Sequence, residues 1–262
     1  MPIPRPTYPQ MTQRVAGACY RTPNGQTEWY PPVMVHADMI ARLATSRGLL
    51  ERELQLLERL EGDAYSRFLQ AFINDGLTRF GDDWRYADIV TALLAVAQLV
   101  KPSSYLEIGV RRGRSMAAVT SVVPDCAVVG IDMWQTNYAG MPNPGAEFVK
   151  SQLALVGHRG PAEFIDGNSH EVLPRLFAER PDLVFDMITV DGDHSLEGAA
   201  QDLRDVLPRL AIGGVIVFDD ISHPLHPELL GLWREMVADD PRFSAWSFAG
   251  VGYGVGAAVR LY

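Results

Sequence analysis

From Pro102 onward the chain alternates short apolar runs with helical stretches, and few architectures accommodate that rhythm. The apolar runs are Tyr105–Ile108, Ala127–Ile131, Ala162–Ile165, Met187–Val190 and Val215–Phe218. Helical patterning fills Ser115–Val122, Ala146–Leu155, His170–Ala178, Leu196–Leu210 and Pro227–Val237. Strand, helix and strand in this order close as right-handed βαβ units, and a series of them builds a parallel sheet with helices on both faces. The tail WSFAGVGYGVGAAVRLY sets glycines among Val, Tyr and Ala with no helix after it, which predicts a closing antiparallel hairpin. The expected fold is α/β, a doubly wound and mostly parallel seven-stranded sheet.

The segment ahead of that rhythm reads differently. Residues 1–35 hold seven prolines (2, 4, 6, 9, 23, 31 and 32) and the turn-like TPNG, so an irregular arm is expected. From His36 a leucine-rich helical stripe runs through Met39, Leu43, Leu50, Leu54 and Leu57, to be packed on the core or between subunits of a homo-oligomer. A second helix is predicted over Ala64–Leu77 and a third over Tyr86–Val100, capped by Asp82 or Asp83 and stopped by Lys101-Pro102. The expected division is an N-terminal arm and helical cap over 1–83, then a ligand-binding domain over 84–262.

Bulk properties exclude several functions. A formal charge of −9 argues against a nucleic-acid surface. There is neither an apolar leader nor a run of about 18 apolar residues, so no membrane partner is expected. Cys19 and Cys126 form no metal or disulfide pattern, which fits a reducing cytoplasm.

In doubly wound sheets, ligands sit at the carboxyl ends of the strands. The first such loop here is Gly109-Val-Arg-Arg-Gly113-Arg-Ser115. A dinucleotide loop needs glycine two residues after the first, and Arg111 stands there, so a flat phosphate seat is not indicated. Asp132, 23 residues beyond Gly109, ends the second strand and suits a ribose hydroxyl pair. Asp166 ends the third, in reach of an adenine amino group. Glu107, inside the first strand, would need a partner such as a ligand ammonium. Asp191 ends the fourth strand and Asp219-Asp220 the fifth. Three converging carboxylates with no lysine nearby repel unless protonated or holding a cation, and all-oxygen donors favour Mg²⁺, Mn²⁺ or Ca²⁺. The bland alternative is that one of the pair caps a helix and Asp191 only frames the ligand.

Taken in order, LEIGVRRGRS, GIDMW, FIDGNSHEVLP, ITVDGDHSLEGAAQDL and PRLAIGGVIVFDD resemble the class I S-adenosylmethionine-dependent methyltransferases, over roughly residues 84–262. The similarity is closest to the metal-dependent O-methyltransferases of catechols, sugars and natural products. It implies a Rossmann-like methyltransferase fold, S-adenosyl-L-methionine as cofactor, and a small-molecule hydroxyl substrate, a sugar or polyketide-type natural product before a catechol. Cofactor contacts carried over are Glu107, Gly109, Gly113, Ser115, Asp132, Trp134, Asp166, Gly167, Asn168 and Asp191. Asp191, Asp219 and Asp220 would hold Mg²⁺ or another divalent cation. His194, three residues past Asp191, takes the place of the family's basic residue and is expected to act with Asp191 in catalysis. Tyr138, in the lid-like QTNYAGMPNPGAE, and His223 are candidate substrate contacts, and His223 and His226 compete with His194 for the base role while reading first as substrate or lid residues. Arg111, Arg112 and Arg114 could reach an acid of cofactor or substrate. Two alternatives stay open: a metal-independent methyltransferase, or a non-catalytic cofactor-binding module whose acidic rim recruits a partner.

Overall fold

The computed structural model describes residues 33–136 and 140–262 and the backbone of 19–21 and 27–29. Within the arm expected to be irregular, β1 (Cys19–Arg21) and β2 (Thr27–Trp29) pair antiparallel, so part of it is a short hairpin. The leucine-rich stripe is not one helix but two, α1 (Ala37–Ala44) and α2 (Arg47–Arg59). The break falls at Thr45-Ser46, whose hydroxyls bond back to the carbonyls of Ala41 and Leu43 and end the first helix. Leu50, Leu56 and Leu57 face inward, so this stripe serves the core.

α3 (Ala64–Phe80) starts on a reciprocal cap between Asp63 and Ser66. α4 (Ile89–Val100) starts on another, between Asp88 and Thr91. Asp82 and Asp83, the expected caps, lie instead in a 3₁₀ turn over Gly81–Asp83. Lys101 then takes a left-handed conformation and ends α4.

The α/β alternation follows as β3 (Ser104–Ile108), α5 (Arg114–Val122), β4 (Ala127–Asp132), α6 (Ala146–Leu155), β5 (Ala162–Asp166), α7 (Ser169–Glu179), β6 (Phe185–Val190), α8 (Leu196–Val206), β7 (Leu210–Asp219) and α9 (Leu229–Trp233). A π-helical turn over Arg234–Ala238 prolongs α9. β8 (Phe243–Phe248) and β9 (Val255–Arg260) form the expected hairpin. The sheet order is β5-β4-β3-β6-β7-β9-β8, parallel through β7 and antiparallel beyond.

Both faces of the sheet are covered, and the strand period of two sorts residues between them. Tyr105, Val128, Met187, Val215 and Val217 join α1, α2, α4 and α5 in one core. Leu106, Ile108, Ile131, Ile188 and Phe218 join α7, α8 and α9 in the other. Because β4 and β5 run out to one side of β3 and β6 and β7 to the other, the winding reverses between β3 and β6. That places the crevice at their carboxyl ends.

Candidate active site

The loops at those strand ends are stitched together by backbone. Gly109 N–H donates to Ile131 O (2.9 Å), Asp191 N–H to Ile108 O (3.0 Å) and Gly167 N–H to Asp132 O (3.0 Å). Gly109 has φ +87°, and a Cβ there would lie 1.9 Å from the Asp191 carbonyl oxygen. Only glycine lets the two loops approach this closely. Gly113, with φ +73°, abuts Val149 and opens α5.

Above these loops lies a cavity of about 870 Å³. Gly109, Ser115, Asp132, Gly167 and Asn168 are on its wall, as are Asp191, His194, Asp219, Asp220 and His223. Asp132 is half-committed already. Its carboxylate accepts the N–H groups of Arg111 (2.7 Å) and Trp134 (2.6 Å) and the Asn143 amide (3.1 Å), leaving about one lone-pair site for a ligand hydroxyl. Asn168 caps α7 by accepting from His170 N–H.

Four expected cofactor contacts are off this wall: Gly113, which abuts Val149, and Glu107, Trp134 and Asp166. Glu107 is fully buried beneath the wall, where the hydroxyls of Tyr105 (2.7 Å) and Ser115 occupy the carboxyl that the sequence reading gave to a ligand ammonium. Burial raises its pKa to about 8, although both hydroxyl bonds favour the charged form. Trp134 turns inward to meet Phe164 edge-on, and its neighbours Met133 and Gln135 line the cavity instead. Asp166 is exposed and off the wall. Tyr138 lies outside the described residues. The three arginines all line the cavity, with different partners. Arg112 and Arg114 each come within 3.4 Å of Asp63 and lie over Phe148 and Tyr65, while Arg111 takes a left-handed backbone (φ +49°) with its guanidinium at Met141.

At the tips of β6 and β7 the converging group is Asp191, Asp220 and His194, with one ligand atom from each within 4.8 Å of the others. His194 Nε2 is 3.3 Å from Asp191 Oδ1 and 3.7 Å from Asp220 Oδ2. Asp219 is beside this group and not in it, and Asp220, the next residue, adopts a left-handed backbone (φ +56°) at the strand end. The predicted all-carboxylate trio is therefore replaced by two carboxylates and an imidazole.

The electrostatics are those of crowded acids. Burial, then Asp191 and Asp220, push the Asp219 pKa well up; burial and Asp191 bring Asp220 to about 7. Burial alone would lower His194, but its bond to Asp191 and the nearby carboxylates outweigh that and raise it. Among the described residues no lysine or arginine pairs with Asp191, Asp219 or Asp220. Mixed carboxylate and imidazole donors of this kind suit a divalent cation.

A further wall was not foreseen from the sequence. Tyr65, Phe68 and Phe72, on one face of α3, line the cavity with Tyr86 and Asp88. Asp88 thus caps α4 and bounds the cavity at once, with Glu53 fully buried and its neutral form favoured by burial and by the Asp88 charge. His223 and His226 stand near His194, with ring centroids 5.2 Å apart for the first pair and 5.5 Å for His226 and His194.

Comparison with known proteins agrees with this geometry. Residues 106–221 match the family model described as a methyltransferase domain. No curated protein matches the chain. Among solved structures, a candidate O-methyltransferase from Klebsiella pneumoniae is 19% identical with a TM-score of 0.50, covering 86% of this chain and 95% of that one. CalS11, the TDP-rhamnose 3'-O-methyltransferase of calicheamicin biosynthesis, is 22% identical with TM-score 0.50, covering 81% and 93%. A candidate caffeoyl-CoA O-methyltransferase from Staphylococcus aureus is 15% identical with TM-score 0.50, covering 80% and 98%. These likenesses establish the shared fold.

Proposed function

We propose that the chain, whose residues 106–221 match the methyltransferase-domain family model, methylates a hydroxyl of a small molecule with help from a divalent cation. One observation carries the reading: the crevice of Gly109, Asp132 and Gly167 opens into the same cavity as the Asp191–His194–Asp220 cluster. Donor and acceptor therefore have adjoining seats.

Methyl transfer from a sulfonium to oxygen is an in-line displacement, so the protein must align the acceptor and help it lose a proton. On this reading the loop around Gly109 and the last free site on Asp132 orient the cofactor's nucleoside. Asp191, Asp220 and His194 would hold Mg²⁺ or Mn²⁺, which when bound supplies Lewis-acid withdrawal from the hydroxyl oxygen. The wall formed by α3 keeps water from the acceptor side.

A specific distance pair favours a second reading. His194 bridges both carboxylates with no cation required, at 3.3 and 3.7 Å, as a histidine oriented to take the proton directly would. Chelation separates the two. S-adenosylhomocysteine release from a panel of phenolic and glycosidic acceptors should vanish after dialysis against EDTA and return with Mg²⁺ or Mn²⁺. Turnover that survives chelation selects the histidine reading and removes the cation.

A further inference from the structure

We propose that the acceptor is a flat, uncharged aromatic compound that lies against the ring wall of α3 with its hydroxyl directed at Asp191 and Asp220. This rests on the methyl-transfer reading above and names its substrate class.

The first support is where apolar surface is left bare. Ten large apolar side chains are exposed among the described residues, and Phe68, Met133, Leu225, Val251 and Tyr253, half of them, stand on the cavity wall. Unburied apolar area gathered at one opening marks a binding surface.

The second is the order of the rings. Positions 65, 68 and 72 share a face of α3, and consecutive centroids are 6.4 and 6.2 Å apart with nearly parallel planes. Tyr86 closes the row edge-on to Phe72 at 5.1 Å. A planar ring system can stack along such a surface. Tyr65 lines the same cavity as Asp219 and Asp220, so the wall and the acid cluster share one space.

The third is charge. All three loop arginines line the cavity, but Arg112 and Arg114 are paired with Asp63 and lie over aromatic rings, and the Arg111 guanidinium is at Met141. The acceptor side carries Asp88, Asp219 and Asp220. A nucleoside diphosphate or another acidic acceptor would meet those carboxylates there, while Arg112 and Arg114 are already paired with Asp63. A free sugar would need several hydroxyl partners, and Phe68, Leu69, Phe72, Leu225 and Val251 offer none.

The test is calorimetric titration of the full chain, with S-adenosylhomocysteine and the acceptor probe measured separately in the presence of Mn²⁺. Naphthalene-2,3-diol should bind at least tenfold more tightly than methyl α-rhamnopyranoside or UDP-glucose. Phe68 and Leu225 are 60% and 78% exposed, so the fold does not depend on them. The double variant F68A/L225A should weaken the diol about tenfold and leave S-adenosylhomocysteine affinity unchanged. Tighter binding of the glycoside or of UDP-glucose, or a double variant that holds the diol as the parent does, would overturn the proposal. A protein that takes the diol equally well after chelation loses the cation from the proposed function and keeps the aromatic acceptor.

Discussion

Replacing Glu107 by glutamine should stabilise the ligand-free chain at neutral pH and flatten part of its pH dependence. The Glu107 carboxyl is fully buried in β3, and burial lifts its pKa from 4.5 to about 8; its bonds to Ser115 and Tyr105 oppose that shift and the charges of Asp191 and Asp132 add to it. The native chain therefore keeps a proton that the unfolded chain releases between those two values. This contribution to stability is complete below pH 4.5 and is lost as pH rises toward 8. At about 1.36 kcal/mol per pKa unit, going from pH 5 to pH 7 costs roughly 2 to 3 kcal/mol from this one group. Glutamine does not titrate, its carbonyl oxygen can still accept from Ser115, and its NH₂ can donate to the Tyr105 oxygen if the Tyr105 hydroxyl donates to Thr189 in place of residue 107. Urea unfolding of parent and variant at both pH values measures the effect. The stability of E107Q relative to the parent should improve by roughly 2 to 3 kcal/mol between pH 5 and pH 7. An unchanged difference would refute the reasoning, because it would mean that the buried carboxylate ionises as it does in water.

Two further substitutions give three expected outcomes. Gly109→Ala forces a Cβ into the Asp191 carbonyl at φ +87°, and should cost at least about 2 kcal/mol, read as a melting temperature lower by about 5 °C or more. Asp220→Asn keeps a side chain that tolerates the left-handed backbone; calorimetry should show Mn²⁺ binding weakened at least tenfold. Since burial and Asp191 hold the Asp220 pKa at about 7, the same variant should also melt higher than the parent at pH 8, where the parent must ionise that acid.

The strands were legible because each is a short apolar run bounded by turn chemistry, and all five begin or end within a few residues of expectation apart from β7, whose start extends back to Leu210. The closing hairpin was legible from its glycines. The cap of α4 was not: Asp82, Asp83 and Asp88 are all acidic, and only the reciprocal bond with Thr91 distinguishes Asp88. Nor was the break after α1, since Thr45 and Ser46 are as compatible with a helix interior as with an end. In the site, strand ends announced Asp132, Asp191 and Asp220 by position alone. Side-chain direction was beyond reach of spacing, which is why Trp134 turned inward and why His194 joined the two acids in place of Asp219. The ring wall escaped notice because periodicity marks a face of α3 without saying what that face meets.

Asp88 has two duties, holding the first turn of α4 and bounding the cavity, and the consequence concerns how such a chain can change. A substitution there that altered ligand choice would also loosen a helix buried against the sheet. Phe68 and Leu225 carry no second duty. New acceptor preferences should therefore arise on the outer turns of α3 and in the loop beyond β7, while the strand tips stay as they are.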